Sequence, residues 1–248
     1  MSELKKLTGD IISRLKSAKR IAALTGAGVS AESGAPTFRG EEGLWNNYRA
    51  EDLATPEAFE RDPALVWRWY DWRRNLIAPL KPNPGHNALA MFEKMFENFT
   101  LVTQNVDGLH RVAGSENPVE MHGNIWLTRC LRDGTVKENR ETPLKEIPPR
   151  CSDCGAMVRP HIVWFGESLD PAVISRAFKA AQGAEVFFVI GTSGVVQPAA
   201  SLAGLAKNNG ATVIEINLEP TPLSYQVDAT LLGPSGRILP EIVSVIKG

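Results

Sequence analysis

Four short apolar runs separated by helical stretches constrain this chain more than any other feature. Ile21 to Leu24, Leu101-Val102-Thr103, Val186 to Ile190 and Thr212 to Ile216 each end in polar or glycine-rich residues. Their shortness and largely apolar content predict strands buried on both faces. Between and ahead of them the spacing turns helical: Leu4, Leu7, Ile11, Ile12 and Leu15 predict a first helix, and Gly85 to Asn98, Pro171 to Gln182 and Pro198 to Asn209 predict three more, the last stopped by Asn209-Gly210. Buried strands alternating with helices predict an α/β fold with a doubly wound parallel sheet, whose ligands bind at the carboxyl ends of the strands.

Two stretches break the alternation. Residues 40–85, rich in Trp and bracketed by prolines, predict an inserted helical module, and residues 124–160, polar and carrying all three cysteines, predict a second insertion whose core is too thin without a metal. The sheet domain is then assembled from residues 1–39, 86–123 and 161–248, with the two insertions standing together as a smaller lobe. Lysines and arginines number 27 against 28 acidic residues, for a net charge of −1. That balance gives no footprint for nucleic acid or an anionic membrane, and no run approaches the roughly 18 apolar residues of a membrane span. Three cysteines, an odd number, argue against a secreted disulfide framework and for a cytoplasmic protein with reduced or metal-bound thiols.

Gly26-Ala27-Gly28-Val29-Ser30-Ala31 follows the first predicted strand and matches a dinucleotide-binding fingerprint, its glycines allowing close approach of the backbone to a pyrophosphate. The same glycines would equally serve a turn needed only for packing. Gly34-Ala35-Pro36-Thr37-Phe38-Arg39-Gly40 breaks the helix and predicts a long loop, with Phe38 and Arg39 as a lid over the nicotinamide end. A second cluster, Gln104-Asn105-Val106-Asp107-Gly108-Leu109-His110, ends a strand, and His122-Gly123 ends the next apolar stretch. Amides, a carboxylate and an imidazole thereby collect at the rim where a ligand belongs, although Asn, Asp and Gly are also ordinary turn residues.

GAGVSAESGAPTFRG at 26–40, TQNVDGLH at 103–110, HG at 122–123, VWFGE at 163–167, GTS at 191–193 and NLEP at 217–220 stand in the order and spacing of the sirtuins. The chain resembles that family over nearly its whole length. The resemblance implies a Rossmann-type NAD domain with a smaller inserted zinc-ribbon and helical lobe, and an NAD-consuming protein lysine deacylase. In that chemistry an acyl-lysine carbonyl oxygen attacks the anomeric carbon of the nicotinamide ribose, and a base-activated ribose hydroxyl then attacks the product, giving free lysine, nicotinamide and O-acyl-ADP-ribose. The resemblance maps the NAD loop onto Gly26, Ala27, Gly28, Ala31, Thr37, Phe38, Arg39 and Trp45, and the polar pocket onto Gln104, Asn105, Val106 and Asp107. Ribose and adenine contacts map onto Gly191, Thr192, Ser193, Asn217, Leu218, Glu219 and Ser235. His122 falls on the general base, with Asn105 and Asp107 as its catalytic neighbours, and Val163, Phe165, Gly166 and Glu167 fall where the family holds its substrate peptide as an added strand.

Tyr70 and Arg73, three apart and so on one helix face, resemble the Tyr-x-x-Arg signature of the sirtuins that remove succinyl, malonyl and glutaryl groups, and Ala54 matches the small residue that widens their acyl pocket. A guanidinium binds a carboxylate bidentately, and a tyrosine hydroxyl adds a donor. Without the surrounding motifs the same residues read as an amphipathic helix with its tryptophans inward and Arg73 solvated. The metal site departs from the family's two Cys-x-x-Cys pairs, since Asp133 takes the place of a cysteine beside Cys130, with Cys151 and Cys154 as the second pair. Three thiolates and Asp133 could complete a zinc tetrahedron, or the cysteines could pack as small buried side chains without metal; His161 fits a fourth ligand less well. Readings kept beside deacylation of acidic groups are deacetylation, mono-ADP-ribosyl transfer, an NAD-linked oxidoreductase, and an NAD- or ADP-ribose-binding sensor.

Overall fold

The computed structural model describes residues 3–36 and 48–248. Six strands form the main sheet: β1 (Arg20–Thr25), β2 (Asn98–Thr103), β3 (Val119–Glu120), β7 (Val186–Ile190), β8 (Thr212–Asn217) and β9 (Ala229–Leu232). All neighbours pair in parallel, in the order β3-β2-β1-β7-β8-β9. The chain leaves β1 for β2 on one side and later returns to place β7 on the other. That reversal of direction, between β1 and β7, is the crevice where a doubly wound sheet binds its ligand.

Helices cover both faces of this sheet. One apolar core packs Leu15, Leu89 and Phe92 with Ile238 and Ile242 against Ile21, Phe188 and Ile214, and the other packs Ala177, Ala181, Leu202 and Ala206 against Leu24, Phe187 and Val213. Alternate residues of β1, β7 and β8 therefore enter opposite cores, which is why these strands read as largely apolar runs. The helices are α1 (Gly9–Ser17), α2 (Ala27–Ala31), α3 (Ala50–Leu53), α4 (Pro56–Arg61), α5 (Pro63–Ile77), α6 (Pro84–Met95), α7 (Leu109–Val112), α8 (Pro171–Gly183), α9 (Ser201–Asn208) and α10 (Ser235–Lys247). Four of them begin with proline behind a residue that caps them: the side chains of Thr55, Asp62, Asn83 and Asp170 accept backbone N–H bonds of the first turns of α4, α5, α6 and α8.

A third core lies outside the main sheet. Strands β4 (Gly123–Cys130), β5 (Val136–Glu138) and β6 (Val158–Ile162) form a small antiparallel sheet in the order β5-β4-β6. Trp67, Trp69 and Tyr70 of α5 share one buried cluster with Ile125, Trp126, Cys130, Val158 and Trp164. Trp67 Nε1 donates to the Val158 carbonyl and Arg74 Nε to the Ile125 carbonyl, both at 2.9 Å, so the α5 helix is bolted to β4 and β6. The two inserted stretches are thus one packed unit.

Some expected elements shift. The helix predicted over Leu4 to Leu15 is a 3-10 turn, Glu3–Lys6, followed by α1, because Thr8 caps a new helix by accepting from the Ile11 amide. The α6 helix stops at Met95 rather than Asn98, since Asn98 already pairs in β2 opposite Arg20. Likewise α9 begins at Ser201 rather than Pro198. No helix among the described residues is long and apolar enough to cross a membrane.

Candidate NAD site and acyl pocket

The turns that leave β1 and β7 are in direct backbone contact. Gly26 N donates to the Ile190 carbonyl at 3.0 Å and Gly28 N to the Gly191 carbonyl at 2.8 Å. A Cβ on Gly28 would stand 2.8 Å from Gly191 Cα, and one on Gly26 2.7 Å from Thr192 Cβ. The glycines are therefore required by the meeting of two backbones at the strand switch, a packing role that accompanies the approach to a pyrophosphate expected from the motif. Ala27 and Ala31 bracket the short α2 helix that follows.

Thr192 gathers the neighbouring strand ends. Gln104 Nε2 donates to its Oγ1 at 3.0 Å and Asn217 Nδ2 to its carbonyl at 2.9 Å, so the rims of β2, β7 and β8 are tied together. Asn105 is buried and fixed by two donations from Nδ2, to the Gly26 carbonyl at 3.0 Å and to Ser30 Oγ at 3.1 Å. Asp107 accepts from the Leu109 amide at 2.7 Å. Burial pushes its carboxyl above the ordinary carboxylate range, opposed by the Leu109 amide, the Ser30 hydroxyl and the Arg73 guanidinium. Val106 holds the turn to the small sheet through its carbonyl, which accepts from Ile125 N at 2.8 Å. Ser193, Leu218 and Glu219 stand exposed at the ends of β7 and β8. Ser235, by contrast, is buried and donates to Glu32 Oε1 at 2.7 Å, which engages its hydroxyl within the fold. Thr37, Phe38, Arg39 and Trp45 lie outside the described residues.

His122 sits just before β4, half-buried, with Nδ1 3.0 Å from the Gln104 carbonyl. A carbonyl only accepts, so Nδ1 carries the proton and the Nε2 lone pair is left for a substrate. Burial pushes the imidazole below its ordinary 6.5, with the Gln104 carbonyl pulling the other way. The His122 carbonyl accepts from Val163 N at 3.0 Å, and the Ala54 carbonyl from Phe165 N at 2.9 Å, so residues 163–165 are clipped between His122 and the end of the α3 helix. Phe165 and Gly166 are exposed at the end of this segment. Glu167 turns inward instead: it pairs with Arg159 at 2.5 and 2.8 Å and accepts from Trp164 N at 2.8 Å. Its carboxylate shapes the segment from behind.

Tyr70 and Arg73 are 1% and 8% exposed. Arg73 is therefore not the solvated arginine of an amphipathic helix; its guanidinium lies 5.1 Å over the Trp69 ring. Burial pushes Arg73 down from its ordinary value, partly offset by Tyr70 and Asp107. Ala54, Tyr70 and Trp164 belong to one buried cluster, and Trp164 Nε1 donates to Tyr70 Oη at 2.8 Å. Three contributors were not singled out as site residues: Ser30, which accepts from Asn105, and Trp164, both inside quoted motifs, and His86, whose Nε2 lies 3.3 Å from Ser30 Oγ. His86 stood only within the helix expected over Gly85 to Asn98.

The model of the Sir2 family matches residues 26–198. The chain belongs to the Sir2 family. An Aquifex aeolicus protein named NAD-dependent protein deacylase is 58% identical over 84% of this chain and 87% of its own, and NAD-dependent protein deacylase 2 of Pyrobaculum aerophilum is 49% identical over 94% and 93%. A crystal structure of a Sir2 homologue in complex with NAD superimposes with a TM-score of 0.91 at 44% identity, covering 97% of this chain and 94% of that one. Another, a Sir2 mutant with a deacetylated p53 peptide and 3′-O-acetyl-ADP-ribose, gives a TM-score of 0.83 at 28% identity with 98% of each chain covered. This sirtuin is accordingly an NAD-dependent enzyme. Its β2 strand ends at Thr103 and is followed by Gln104, without the acidic ribose-binding residue that an oxidoreductase of the same sheet order would place there.

In the small lobe, the sulfurs of Cys130, Cys151 and Cys154 lie within 4.8 Å of one another, and those of Cys130 and Cys154 are 3.6 Å apart. Zinc–sulfur bonds of about 2.3 Å in a tetrahedron put sulfurs roughly 3.8 Å apart, so the cluster fits zinc. Asp133 is outside that triplet: its Oδ1 accepts from Thr135 N at 2.9 Å, while its carboxylate also interacts with the Cys130 thiol.

Proposed function

We propose that this sirtuin removes acidic acyl groups, succinyl and malonyl, from protein lysine side chains in preference to acetyl, using NAD as co-substrate. The observation that carries the reading is the burial of Tyr70 and Arg73 on one face of α5, with Tyr70 bonded to Trp164 of the segment that His122 and Ala54 hold. Burial disfavours the Arg73 charge, and a carboxylate arriving on the acyl chain brings an opposite charge and accepts bidentate hydrogen bonds. An acetyl methyl does neither. Ala54 contributes by what it lacks, since any longer side chain there would fill space that an extended acyl group needs.

The strand-end rim fits a dinucleotide: paired glycine turns at the sheet's switch point, an ordered row of amides at Gln104, Asn105 and Asn217, and exposed backbone at Leu218 and Glu219. NAD, when bound there, supplies the ribose carbon from which nicotinamide departs. Asn105 and Asp107 orient the polar end of the pocket, and His122 Nε2 takes the proton of a substrate hydroxyl. Val163, Phe165 and Gly166 border the acyl-lysine peptide, with Glu167 and Arg159 stiffening that border. The test is kcat/KM for acetyl-, malonyl-, succinyl-, glutaryl- and long-chain acyl-lysine on one peptide. Succinyl and malonyl are expected to exceed acetyl by at least about tenfold, the low end of what a hydrogen bond to a charged group contributes; a higher kcat/KM for acetyl refutes the preference.

For the metal, the reading is one structural zinc held by Cys130, Cys151 and Cys154, with Asp133, adjacent to Cys130, as the fourth ligand. Protein purified without chelator is expected to carry about one zinc per chain, and chelation to lower its Tm. Asp133→Ala should lose metal faster than the exposed control Asp10→Ala. Equal retention moves the fourth ligand elsewhere, and metal-free protein indifferent to chelator removes zinc from the account.

A further inference from the structure

We infer that Trp164 is a specificity-determining positioning residue, whose indole N–H fixes the direction in which the Tyr70 hydroxyl donates. Tyr70 Oη accepts from Trp164 Nε1 at 2.8 Å, and that is its one hydrogen bond among the described residues. Indole nitrogen only donates, so neither partner has a rotamer or tautomer that reverses the polarity. Conjugation keeps a phenolic O–H in the plane of its ring, which leaves two orientations. The orientation facing Trp164 sets hydrogen against hydrogen and is disfavoured. The Tyr70 proton is thereby turned away from Trp164 and held ready for an acceptor.

The direction is built in rather than incidental. Both side chains are almost wholly buried, so water does not compete for either. Burial also pushes Tyr70 up to about 12, which keeps the hydroxyl protonated and a donor throughout the neutral range. Trp164 is held from three sides: its backbone N–H donates to Glu167 Oε2, the Arg159 guanidinium stacks 3.5 Å from its ring centroid while paired with Glu167, and the Phe59 ring lies 5.1 Å away. The sequence Trp164-Phe165-Gly166-Glu167 thus does two things at once. Its exposed end borders the peptide, and its buried end presets a donor in the acyl pocket.

This inference rests on the acidic-acyl reading, because only an acyl group that ends in an acceptor benefits from a preset donor. The experiment compares wild type, Trp164→Phe, Tyr70→Phe and the double variant, reading kcat and KM for succinyl- and acetyl-lysine on one peptide, KM for NAD, and Tm. Trp164→Phe is expected to lower kcat/KM for succinyl about three- to tenfold, chiefly through KM, with acetyl and NAD changed less than about twofold. On the Tyr70→Phe background the same change should leave the succinyl-to-acetyl ratio unaltered, because the hydroxyl being oriented is gone. Replacement of Trp164 by 3-benzothienylalanine, which keeps the ring shape without the N–H, gives the same comparison if Trp164→Phe does not fold. An equal loss for both acyl groups, or an effect that persists without the Tyr70 hydroxyl, overturns the inference and makes Trp164 a packing residue. Failure of the acidic-acyl reading looks different: wild type prefers acetyl, or Tyr70→Phe alone leaves the ratio unchanged.

Discussion

His122→Ala is expected to give a folded protein that binds NAD within a few-fold of wild type but forms deacylated peptide about 100- to 10,000-fold more slowly, the usual worth of a general base. The imidazole is half-buried and its one hydrogen bond among the described residues, from Nδ1 to the Gln104 carbonyl, is a local tie at the rim, so its removal costs the fold little. The dinucleotide site is meanwhile built from glycine turns and amides that do not depend on it. The pH profile gives an independent check. Burial favours the neutral imidazole and pulls its pKa below 6.5; a base must be neutral to act, so kcat/KM should rise with pH along an acid limb lying below 6.5 and be level through neutrality. That limb should vanish from the residual activity of His122→Ala. Near wild-type turnover in the variant, or a limb above the ordinary histidine value, would assign the base to another group.

Arg73→Met should collapse the choice between acyl groups. Loss of a charge-assisted bidentate contact corresponds to about 10- to 150-fold in kcat/KM for succinyl-lysine, whereas acetyl-lysine, which has no carboxylate to meet, should change less than about threefold. Methionine keeps an unbranched apolar stem. Tm measured on the same variant separates lost acyl recognition from lost support of the fold. A parallel fall in both activities would show that Arg73 supports Asp107 or the NAD rim rather than the acyl group, a distinction that matters since the two charges feel each other.

The parts of this molecule that were legible in the chain share a cause. The strands β1, β7 and β8 are buried on both faces, so most of their residues are apolar and the runs stood out, the buried Glu215 of β8 being satisfied by the hydroxyls of Thr221, Ser224 and Thr230. Helix starts read at Gly85 and Pro171 fall within a residue of α6 and α8, whereas the start read at Pro198 precedes α9, which begins at Ser201. What stayed hidden were elements whose identity depends on partners far away: β3 has two residues, and β9 and α10 became visible only once β8 and the apolar core were in place to receive them. The antiparallel sheet β5-β4-β6 is polar enough to read as loop, because one face leans on α5 and the other meets solvent.

The sequence by itself determined the parallel α/β class, the glycine turns, the rim of amides with His122, and the pairing of Tyr70 with Arg73 on one helix face, since each follows from local periodicity or from residues a few positions apart. Tertiary structure alone decided which glycines touch: Gly28 needs no side chain because Gly191, brought alongside by the pairing of β1 and β7, leaves no room for one. It also decided that Arg73 is buried, that Glu167 faces Arg159 instead of the peptide, and that Trp164 directs its N–H at Tyr70 across 94 positions of chain. Hydrogen-bond direction and desolvation depend on what surrounds a group in three dimensions, and that environment is assembled only when distant segments pack.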